Sequence, residues 1–420
     1  MEAALPPTRP TPNPGGPITT PVAKSERIAA IDVLRGFAVL GILMVNVQGF
    51  ARISSAYSNP ASGRVLEAAD QWTWAAIYLF FDTKFISIFS LLFGVGIAIM
   101  SERMAGRGVS GTGLHYRRQF WLLVIGLMHA FLIWHGDVLV AYALCGFLLY
   151  PLRNLAPRRQ LWIGGAAVSV VVVLLGLILL ALPYLPEAER ATIMAEWAPP
   201  QEGIDAEIAA FRGSWTDQLP ERASLYLLAL GGVFPFYVFW RAGGLMLVGM
   251  ALYRLDVITG ARSTAFYRRM AVLGFALGLP LSGWGSSIML RPGVEADQAI
   301  YPPLLLNYVG SVGVFLGYVA LVILMVKGGW LSWLRRRLEA AGRMALTNYI
   351  MQSIICSLLF YGHGLGLFER VSAPGQVGIV VAIWALQLAW SPWWLARFRF
   401  GPLEWIWRSA TYMEWQPMRV

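Results

Sequence analysis

Side chains that could perform acid–base chemistry are concentrated in one apolar stretch, HAFLIWHGDVLVAYALCG (residues 129–146). A carboxylate beside an imidazole can hold it in one tautomer, which suits a general base. His135 and Asp137 flank a glycine in what reads as a tight turn between two helices, and His129 lies in the preceding helix. We expect His135 to be the general base, oriented by Asp137, with His129 as the alternative base. The competing interpretation is structural, because an Asp in such a turn can cap the next helix.

A second set of polar residues, Asp32, Arg35 and Asn46, lies in the first apolar run. Their separations of three and eleven residues place all three on one face of a helix. A charge at the bilayer centre costs about 2.5–3.5 kcal/mol, so such residues need a partner or a function. Asp32 and Arg35 are equally well explained as a structural ion pair. Asn46 lies deeper and has no local partner, which favours a functional role for it.

Two basic residues, Lys84 and Arg241, also lie within apolar runs. Snorkelling of its ammonium group toward the membrane surface would explain Lys84, and a role in binding is left open. Arg241 follows Pro235 and precedes two glycines, residues that break or kink helices. An Arg at such a place suggests an anion site, or a counter-charge for Asp82 or Asp137.

The remaining intramembrane polar side chains allow a plain structural interpretation. Asn348 and Gln352 are one helical turn apart and either bind a ligand or only hydrogen-bond to neighbouring helices. Cys145 and Cys356 read as buried free thiols. We expect no metal site, because the four histidines are scattered along the chain at positions His115, His129, His135 and His363.

The composition is that of a membrane protein. Of 420 residues, 57% are hydrophobic and 13% are charged, about half the charged fraction of a soluble protein. The net charge of +10 comes from arginines and lysines in short loops between apolar runs rather than from one patch. That distribution indicates orientation in a membrane and excludes nucleic-acid binding.

The apolar runs predict an all-α, polytopic transmembrane bundle of about ten helices. The expected spans are residues 31–52, 74–101, 119–135, 137–154, 160–184, 223–253, 267–287, 301–326, 344–366 and 374–397. The second and sixth are long enough to be tilted, broken or partly interfacial. Basic residues fill every even connection, so both termini are predicted to be cytoplasmic.

Three segments complete the predicted organisation of this multi-pass protein of the bacterial inner membrane. Residues 1–26 read as a disordered cytoplasmic tail, and residues 27–415 as one transmembrane domain. The connection 185–222 is acidic and is expected to be periplasmic, with an amphipathic helix near 186–198.

Five segments resemble the YeiB family of bacterial integral membrane proteins, in the order of that family and over about residues 27–415. They are IDVLRGFAVLGILMVN (31–46), KFISIFSLLFG (84–94), HAFLIWHGDVLVAYALCG (129–146), GRMALTNYIMQS (342–353) and FGPLEWIWR (400–408).

The first of these segments also resembles the lysosomal heparan-glucosaminide acetyltransferases of the transmembrane acyltransferase superfamily. That resemblance implies that acetyl-CoA or another acyl-CoA binds from the cytoplasm and that the acyl group passes to an acceptor across the membrane. Asp32, Arg35 and Asn46 match the pattern of those enzymes. The enzymes carry a reactive His about eleven residues beyond the Asn, where this chain has Tyr57.

The sequence thus predicts acyl transfer from acyl-CoA to a small-molecule, periplasmic or lipid-linked acceptor, without a metal. Asn46 and Arg241 would stabilise the oxyanion. The CoA phosphates would be received by the cytoplasmic arginines Arg117, Arg118, Arg335 and Arg336. The rival is a transporter or exporter of a small or lipid-like solute, which would use the same polar residues as a pathway. An accessory membrane protein is a third alternative. Besides the lipid bilayer, the sequence allows a second copy of the chain as partner.

Overall fold

The computed structural model describes residues 28–291 and 296–420. The predicted tail at 1–26 and part of the predicted loop 288–300 therefore lie outside the described residues. Sixteen α-helices occupy the described part of the chain: α1 (Ala29–Ala51), α2 (Ala68–Phe80), α3 (Lys84–Ala105), α4 (Thr112–Leu132), α5 (Leu139–Leu149), α6 (Pro157–Ala181), α7 (Glu187–Trp197), α8 (Gln201–Arg212), α9 (Gln218–Leu228), α10 (Gly244–Arg254), α11 (Thr264–Met289), α12 (Ala296–Gly328), α13 (Ser332–Arg343), α14 (Ala345–Phe360), α15 (Ala373–Leu395) and α16 (Pro402–Tyr412). The prediction of an all-α protein is confirmed for these residues.

Seven helical runs are long and apolar enough to cross a membrane. They are Ala29–Ala51, Ala68–Ala105, Pro157–Tyr184, Gln218–Arg254, Thr264–Met289, Ala299–Gly328 and Ala373–Leu395. Two shorter apolar helices, Leu139–Asn154 and Ala345–Phe360, match two further predicted spans. The one predicted span not yet matched, 119–135, corresponds to α4, whose first turns carry Arg117 and Arg118. The prediction of a polytopic membrane protein is confirmed at the level of these seven candidate spans.

The predicted span 74–101 is divided between α2 and α3. The chain breaks at Thr83, whose φ of 63° is left-handed and incompatible with a continuing right-handed helix. The Tyr78 hydroxyl donates to the Pro303 carbonyl (2.6 Å), and the Ala373 N–H donates to Asp70 (2.6 Å). α2 is thereby held against α12 and the start of α15, and α3 alone continues into the bundle.

The predicted break near Arg241 is instead a π-helical segment, Ala229–Gly243, that joins α9 to α10 without interruption. Pro235 lies inside this segment and has no N–H to donate. A π-helix has i→i+5 hydrogen bonds and a wider backbone than an α-helix, and it is frequent at functional sites. The segment places Arg241 inside the protein, where the side chain is buried.

Direct backbone contact between α1 and α13 fixes the start of α1. A Cβ atom added to Gly36 would lie 1.9 Å from the backbone carbonyl oxygen of Leu338. One added to Gly342 would lie 1.9 Å from the backbone carbonyl oxygen of Asp32. Only glycine fits at both positions. The crossing brings Asp32 and Arg35 next to Arg343, at an end of the bundle that we call the basic end.

The acidic segment 185–222 is helical and covers the end of the bundle remote from Arg343, which we call the opposite end. α7 matches the helix predicted near 186–198 and is largely exposed. The sequence did not predict α8, which buries Ile204 and Phe211. Glu207 of α8 accepts hydrogen bonds from the backbone N–H (2.7 Å) and the hydroxyl (3.1 Å) of Ser54, and so anchors α8 to the chain that follows α1.

Candidate functional site

A cavity of about 600 Å³ enters the protein at the basic end, between α1, α3, α4, α14 and α16. Its volume lies within the usual range for small-molecule sites. Along α3 its wall extends from Phe89 to Met104, a rise of roughly 22 Å. The cavity is therefore long and narrow.

Arginines dominate the mouth of this cavity. Six contribute to its wall: Arg35, Arg103, Arg118, Arg343, Arg399 and Arg408. The wall contains three carboxylates, Asp32, Glu102 and Glu404. Asp32 lies 3.2 Å from Arg35, and Glu102 lies 2.8 Å from Arg254, which is outside the wall. The wall therefore carries a formal excess of positive charge, which favours anions at the mouth.

Glu404 links the segment FGPLEWIWR (400–408) to α14. Its carboxylate accepts from the backbone N–H groups of Leu346 (2.7 Å) and Thr347 (3.0 Å) and from the Thr347 hydroxyl (2.5 Å). It thus satisfies the free donors at the N-terminus of α14 and complements the helix dipole. Burial raises the pKa of this carboxyl above its ordinary value. Sequence reasoning missed Glu404, because its partners lie more than fifty residues away.

The inner end of the cavity is apolar. Ile42, Leu122, Val138 and Leu139 contribute to it, together with the two tyrosines Tyr142 and Tyr349. The Tyr142 hydroxyl is held by Ser90 (3.0 Å) and the Ile86 carbonyl (3.1 Å). The ring of Tyr349 lies 5.2 Å from the ring of His129. The cavity therefore ends at Tyr349, and the buried His129 lies behind this ring, outside the cavity wall.

His129 forms a buried chain of hydrogen bonds with Asp137 and Ser353. Its Nδ1 lies 2.7 Å from Asp137 Oδ2, and its Nε2 lies 2.9 Å from the Ser353 hydroxyl. The other Asp137 oxygen accepts from the Val140 backbone N–H (2.8 Å) and so caps α5. Asp137 therefore orients an imidazole with one oxygen and caps a helix with the other, although the imidazole belongs to His129 and not to His135. We call His129, Asp137 and Ser353 the triad.

The predicted pairing of His135 with Asp137 is wrong. The two residues lie on either side of Gly136 in the turn, and the Asp137 carboxylate points back to His129. The His135 ring packs instead near Trp134 and Phe211. His129, given as the alternative base, is the imidazole that Asp137 orients.

An aromatic layer separates the triad from the opposite end. Trp134 lies over His129, with ring centroids 6.4 Å apart, and stacks on Phe50 at 4.1 Å. Tyr361 lies 6.1 Å from Phe50 and 5.0 Å from Phe211. The layer consists of Phe50, Trp134, Phe211, Tyr361 and Phe368, all buried.

Of the site residues predicted from sequence, Asp32, Arg35 and Arg118 line the cavity. The other predicted site residues lie outside its wall, including all four that were predicted to be catalytic: His129, His135, Asp137 and Asn46. Asn46 is half-buried on α1, three residues before Gly49, whose carbonyl accepts from Trp134 at 3.3 Å. Arg117 contacts the Met413 sulfur, whereas Arg118 lines the cavity and stacks on Trp407 at 4.3 Å. Of the four arginines predicted to bind phosphates, only Arg118 lines the cavity.

A second polar cluster surrounds Lys84. The Lys84 ammonium group donates to the Tyr78 carbonyl (2.7 Å) and to Asn307 Oδ1 (2.5 Å). The other end of the Asn307 amide donates to Asp82 Oδ2 (2.7 Å). Lys84 is 0% exposed, so the snorkelling interpretation is wrong.

Arg241 belongs to the same region but bonds to neutral oxygens rather than to a carboxylate. It donates to the hydroxyls of Ser87 (2.9 Å) and Ser311 (2.6 Å) and to the Tyr308 carbonyl (3.3 Å). Its guanidinium group also stacks on the Tyr308 ring at 4.3 Å. Arg241 forms no hydrogen bond to Asp82 or Asp137, but its charge lies close enough to Asp82 to act as the expected counter-charge.

Tyr57 stands near this second cluster and is 53% exposed. Surrounding protein and the charge of Asp82 raise the pKa of its hydroxyl well above the ordinary value. A tyrosine hydroxyl with the ordinary pKa of about 10 is already protonated at neutral pH, so Tyr57 does not replace the imidazole as a general base.

Asn348 and Gln352 fit the structural interpretation. Asn348 donates to the Ala341 carbonyl (3.1 Å) and to Ser391 (3.2 Å). Gln352 donates to the Val39 carbonyl (3.1 Å) and to Gln387 (2.8 Å). These bonds tie α14 to its neighbours. Among the described residues, no group of three His, Cys, Asp or Glu side chains is placed to hold a metal ion.

Known proteins resemble the chain over nearly its whole length. A family model described as a protein of unknown function (DUF418) matches residues 252–414. The chain is 32% identical to the uncharacterized protein YxaH of Bacillus subtilis (strain 168), over 95% of this chain and 97% of YxaH. It is 31% identical to the uncharacterized protein YeiB of Escherichia coli (strain K12), over 92% of this chain and 96% of YeiB.

A third relative is an uncharacterized 39.9 kDa protein from the amylase 3′ region of Bacillus acidopullulyticus, with 29% identity over 93% of this chain and 96% of that protein. The similarity to heparan-glucosaminide acetyltransferases stays a prediction from sequence. The expected resemblance to YeiB is confirmed, and the chain belongs to the YeiB-like family of proteins with a DUF418 domain.

Proposed function

We propose that the protein is a membrane-embedded acyltransferase that takes an acyl group from acyl-CoA. The observation that supports this proposal is the cavity. It has an arginine-rich mouth at one end and an apolar inner end beside the hydrogen-bonded pair His129–Asp137.

The mouth suits the nucleotide end of CoA, which carries several phosphate charges. Arginine binds phosphate oxygens in a bidentate manner, and six arginines line the wall. Trp407, held against Arg118 at 4.3 Å, offers a ring face beside the same charges. The narrow cavity of roughly 22 Å leaves room for an extended arm that reaches the inner end.

The inner end suits the thioester. His129, oriented by Asp137, acts as the general base that activates the attacking hydroxyl or amine. Because the pair is buried, water is kept away from the thioester, and this favours transfer over hydrolysis.

The proposed orientation places the basic end in the cytoplasm, where acyl-CoA is made, and the acidic segment 185–222 on the other side. This is N-in, C-in topology with ten spans in the bacterial inner membrane, in keeping with the positive-inside rule. The acceptor then approaches the triad from the opposite end or from the bilayer, past the aromatic layer. A small molecule or a lipid-linked hydroxyl or amine would meet this requirement.

Binding of acetyl-CoA by the purified protein tests the proposal, with Arg118→Gln and Arg117→Gln as a matched pair. Both arginines lie on α4, but only Arg118 lines the cavity. We expect Arg118→Gln to weaken binding by roughly tenfold, because a charge-assisted hydrogen bond contributes about 1.5–3 kcal/mol. Arg117→Gln should bind as the wild type does. Absence of binding by the wild type, or equal loss in both variants, would sink the acyl-CoA assignment.

Transport of an anionic solute is the second candidate, and the cluster around Lys84 and Arg241 favours it. Buried cations within an apolar bundle are typical of pathways for charged solutes. Flux of an unmodified solute into proteoliposomes, lost in Lys84→Met and retained in His129→Gln, would support transport over acyl transfer.

A further inference from the structure

We infer that Ser353 is a nucleophile that carries the acyl group as a covalent ester between the two halves of the reaction. This inference rests on the proposed acyl transfer and adds a chemical step to it. It assigns a role to a residue that the direct transfer described above does not use.

The geometry of the triad supports this role. The Asp137 carboxylate lies 2.7 Å from His129 Nδ1, and His129 Nε2 lies 2.9 Å from the Ser353 hydroxyl. This is the arrangement by which a histidine activates a serine: the acid fixes the tautomer, and Nε2 takes the proton. Among the described residues, this is the one hydrogen bond between a serine hydroxyl and a histidine ring.

The neighbouring serine on the same helix shows what an inert serine does. Ser357, one turn further along α14, donates to the Ile354 carbonyl three residues earlier (3.0 Å). In helices, a serine hydroxyl ordinarily donates its hydrogen bond to a backbone carbonyl of the preceding turn in this way. Ser353 reaches its own helix only weakly, at 3.4 Å from the Tyr349 carbonyl, and its shorter contact is to His129.

The end of the cavity provides a second, independent observation. Tyr349 lines the cavity and lies on α14 one turn before Ser353, a rise of about 6 Å. Its hydroxyl lies near the Val138 backbone and forms no hydrogen bond of ordinary geometry to the described residues. A rotation of this side chain would open the cavity to Ser353 and bring a hydroxyl donor toward the thioester carbonyl.

The chemistry balances without any further reactant. In the first half, His129 Nε2 takes the Ser353 proton while the serine oxygen attacks the thioester carbon. The new C–O bond forms, the C–S bond breaks, and CoA leaves as a thiol with the proton returned by His129. In the second half, the acceptor hydroxyl or amine gives its proton to His129 and attacks the ester. Ser353 then leaves and is reprotonated.

A covalent intermediate also suits the shape of the protein. The cavity has its mouth at the basic end, and the aromatic layer closes the other side of the triad. An acyl donor and an acceptor that enter from different sides need not be bound at the same time, because the serine ester retains the acyl group after CoA leaves and until the acceptor binds.

Isotope exchange tests the inference without knowledge of the acceptor. The full-length protein in lipid nanodiscs is incubated with acetyl-CoA and labelled free CoA. An acyl-serine intermediate transfers label into acetyl-CoA, whereas direct transfer requires an acceptor. We expect exchange in the wild type and in Ser357→Ala, and a loss of at least about 100-fold in Ser353→Ala with acetyl-CoA binding retained.

Ser353→Cys gives a chemical readout. It should trap the acetyl group as a thioester that neutral hydroxylamine releases, whereas the ester on the wild-type serine resists the same treatment. Peptide mapping should locate the label at position 353 in both proteins.

Two results would overturn the inference: exchange that survives in Ser353→Ala, or wild-type protein that binds acetyl-CoA but shows neither exchange nor label. In both cases acyl-CoA still binds. The first result would place the acyl group on another residue, and the second would leave direct transfer by His129. Failure of the wild type to bind acetyl-CoA is a different result and removes the proposed function itself.

Discussion

His129 Nδ1 and Asp137 Oδ2 lie 2.7 Å apart, although eight residues and a helix turn separate them in the chain. The contact is possible because α4 and α5 are antiparallel neighbours and Asp137 stands at the start of α5. The same carboxylate caps α5 through Val140. One side chain therefore fixes both the turn and the imidazole.

This double role predicts different effects for two substitutions at Asp137. Asp137→Asn keeps an oxygen for the Val140 N–H but turns an amide N–H₂ toward His129, so the imidazole is held in the wrong tautomer. We expect acetyl-CoA exchange to fall by roughly 10³–10⁴-fold, as in other triads, with the thermal midpoint little changed. Asp137→Ala should also lose about 1 kcal/mol of stability, because the cap is gone. An Asn variant that is fully active would show that the carboxylate is only a cap.

A substitution at the crossing of α1 and α13 should destabilise the fold. In Gly36→Ala the new methyl group would meet the Leu338 carbonyl at 1.9 Å, so the helices must separate. We expect a cost of about 1–3 kcal/mol, as for other overpacked sites. Unfolding can be followed by the reaction of the two buried cysteines, Cys145 and Cys356, with a thiol dye.

The matched control for that experiment is Gly165→Ala in α6, where an added Cβ has nothing within 4 Å. It should leave stability unchanged or raise it by up to about 1 kcal/mol through helix propensity. Equal midpoints for the two variants would show that the close crossing is not required.

The attachment of α8 should depend on pH through Glu207. Burial raises the pKa of Glu207 from 4.5 to about 7, and the carboxylates of Glu221 and Glu369 act in the same direction. Since the folded-state pKa is raised, the stabilising contribution is fully present below about pH 4.5 and is lost as the pH rises through 7. Proteolysis of α8 at Arg212 should therefore become faster between pH 5 and 8.

Glu207→Gln is the control for this pH dependence. The amide keeps an acceptor for Ser54 and cannot ionise, so its proteolysis should vary little over the same range. A wild-type rate that is independent of pH, or a Gln variant that keeps the dependence, would contradict the assignment to Glu207.

Lys84 and Asp82 should show strong coupling, because both hydrogen-bond to Asn307. Lys84→Met leaves a carboxylate in the bundle without its cation, which destabilises buried pairs by about 3–5 kcal/mol. The double variant Lys84→Met with Asp82→Asn should be more stable than Lys84→Met alone, by about 1–3 kcal/mol. Additive effects on the thermal midpoint would mean that the two charges do not interact.

Orientation in the membrane can be tested with single cysteines. The two native cysteines are buried, so new ones at the exposed positions Ser110 and Glu189 would be labelled selectively. With N-in topology, a membrane-impermeant maleimide added to spheroplasts should modify Glu189→Cys and leave Ser110→Cys intact until the cells are lysed. The reverse pattern would invert the proposed orientation.

The sequence predicted the helices better than their contacts. Apolar runs set the helix positions, and Asp137 could be recognised because a carboxylate near histidines is rare in such runs. Its partner could not be identified, because the direction of the side chain depends on the packing of α4 against α5. Ser353 lies 224 residues from His129 and looked like any polar residue of a helix.

Lys84 shows the same limit. From sequence it stands near the end of a span, where the cost of a charge is small. In the structure, the Lys84 side chain is instead completely buried, because the helix is interrupted at Thr83 and Asn307 of α12 packs against the ammonium group. Neither the left-handed turn nor the distant amide leaves a periodic signal in the sequence.

The aromatic layer over the triad has a consequence for the energy of the cell. A protein that passes chemical groups across a coupling membrane must not let protons or ions follow, since each charge that leaks dissipates the potential. In the proposed acyl transfer, the five buried rings between the cavity and the far surface would insulate the two sides of the membrane from each other. An acyl group relayed through a covalent bond would cross such an insulator without a continuous column of water.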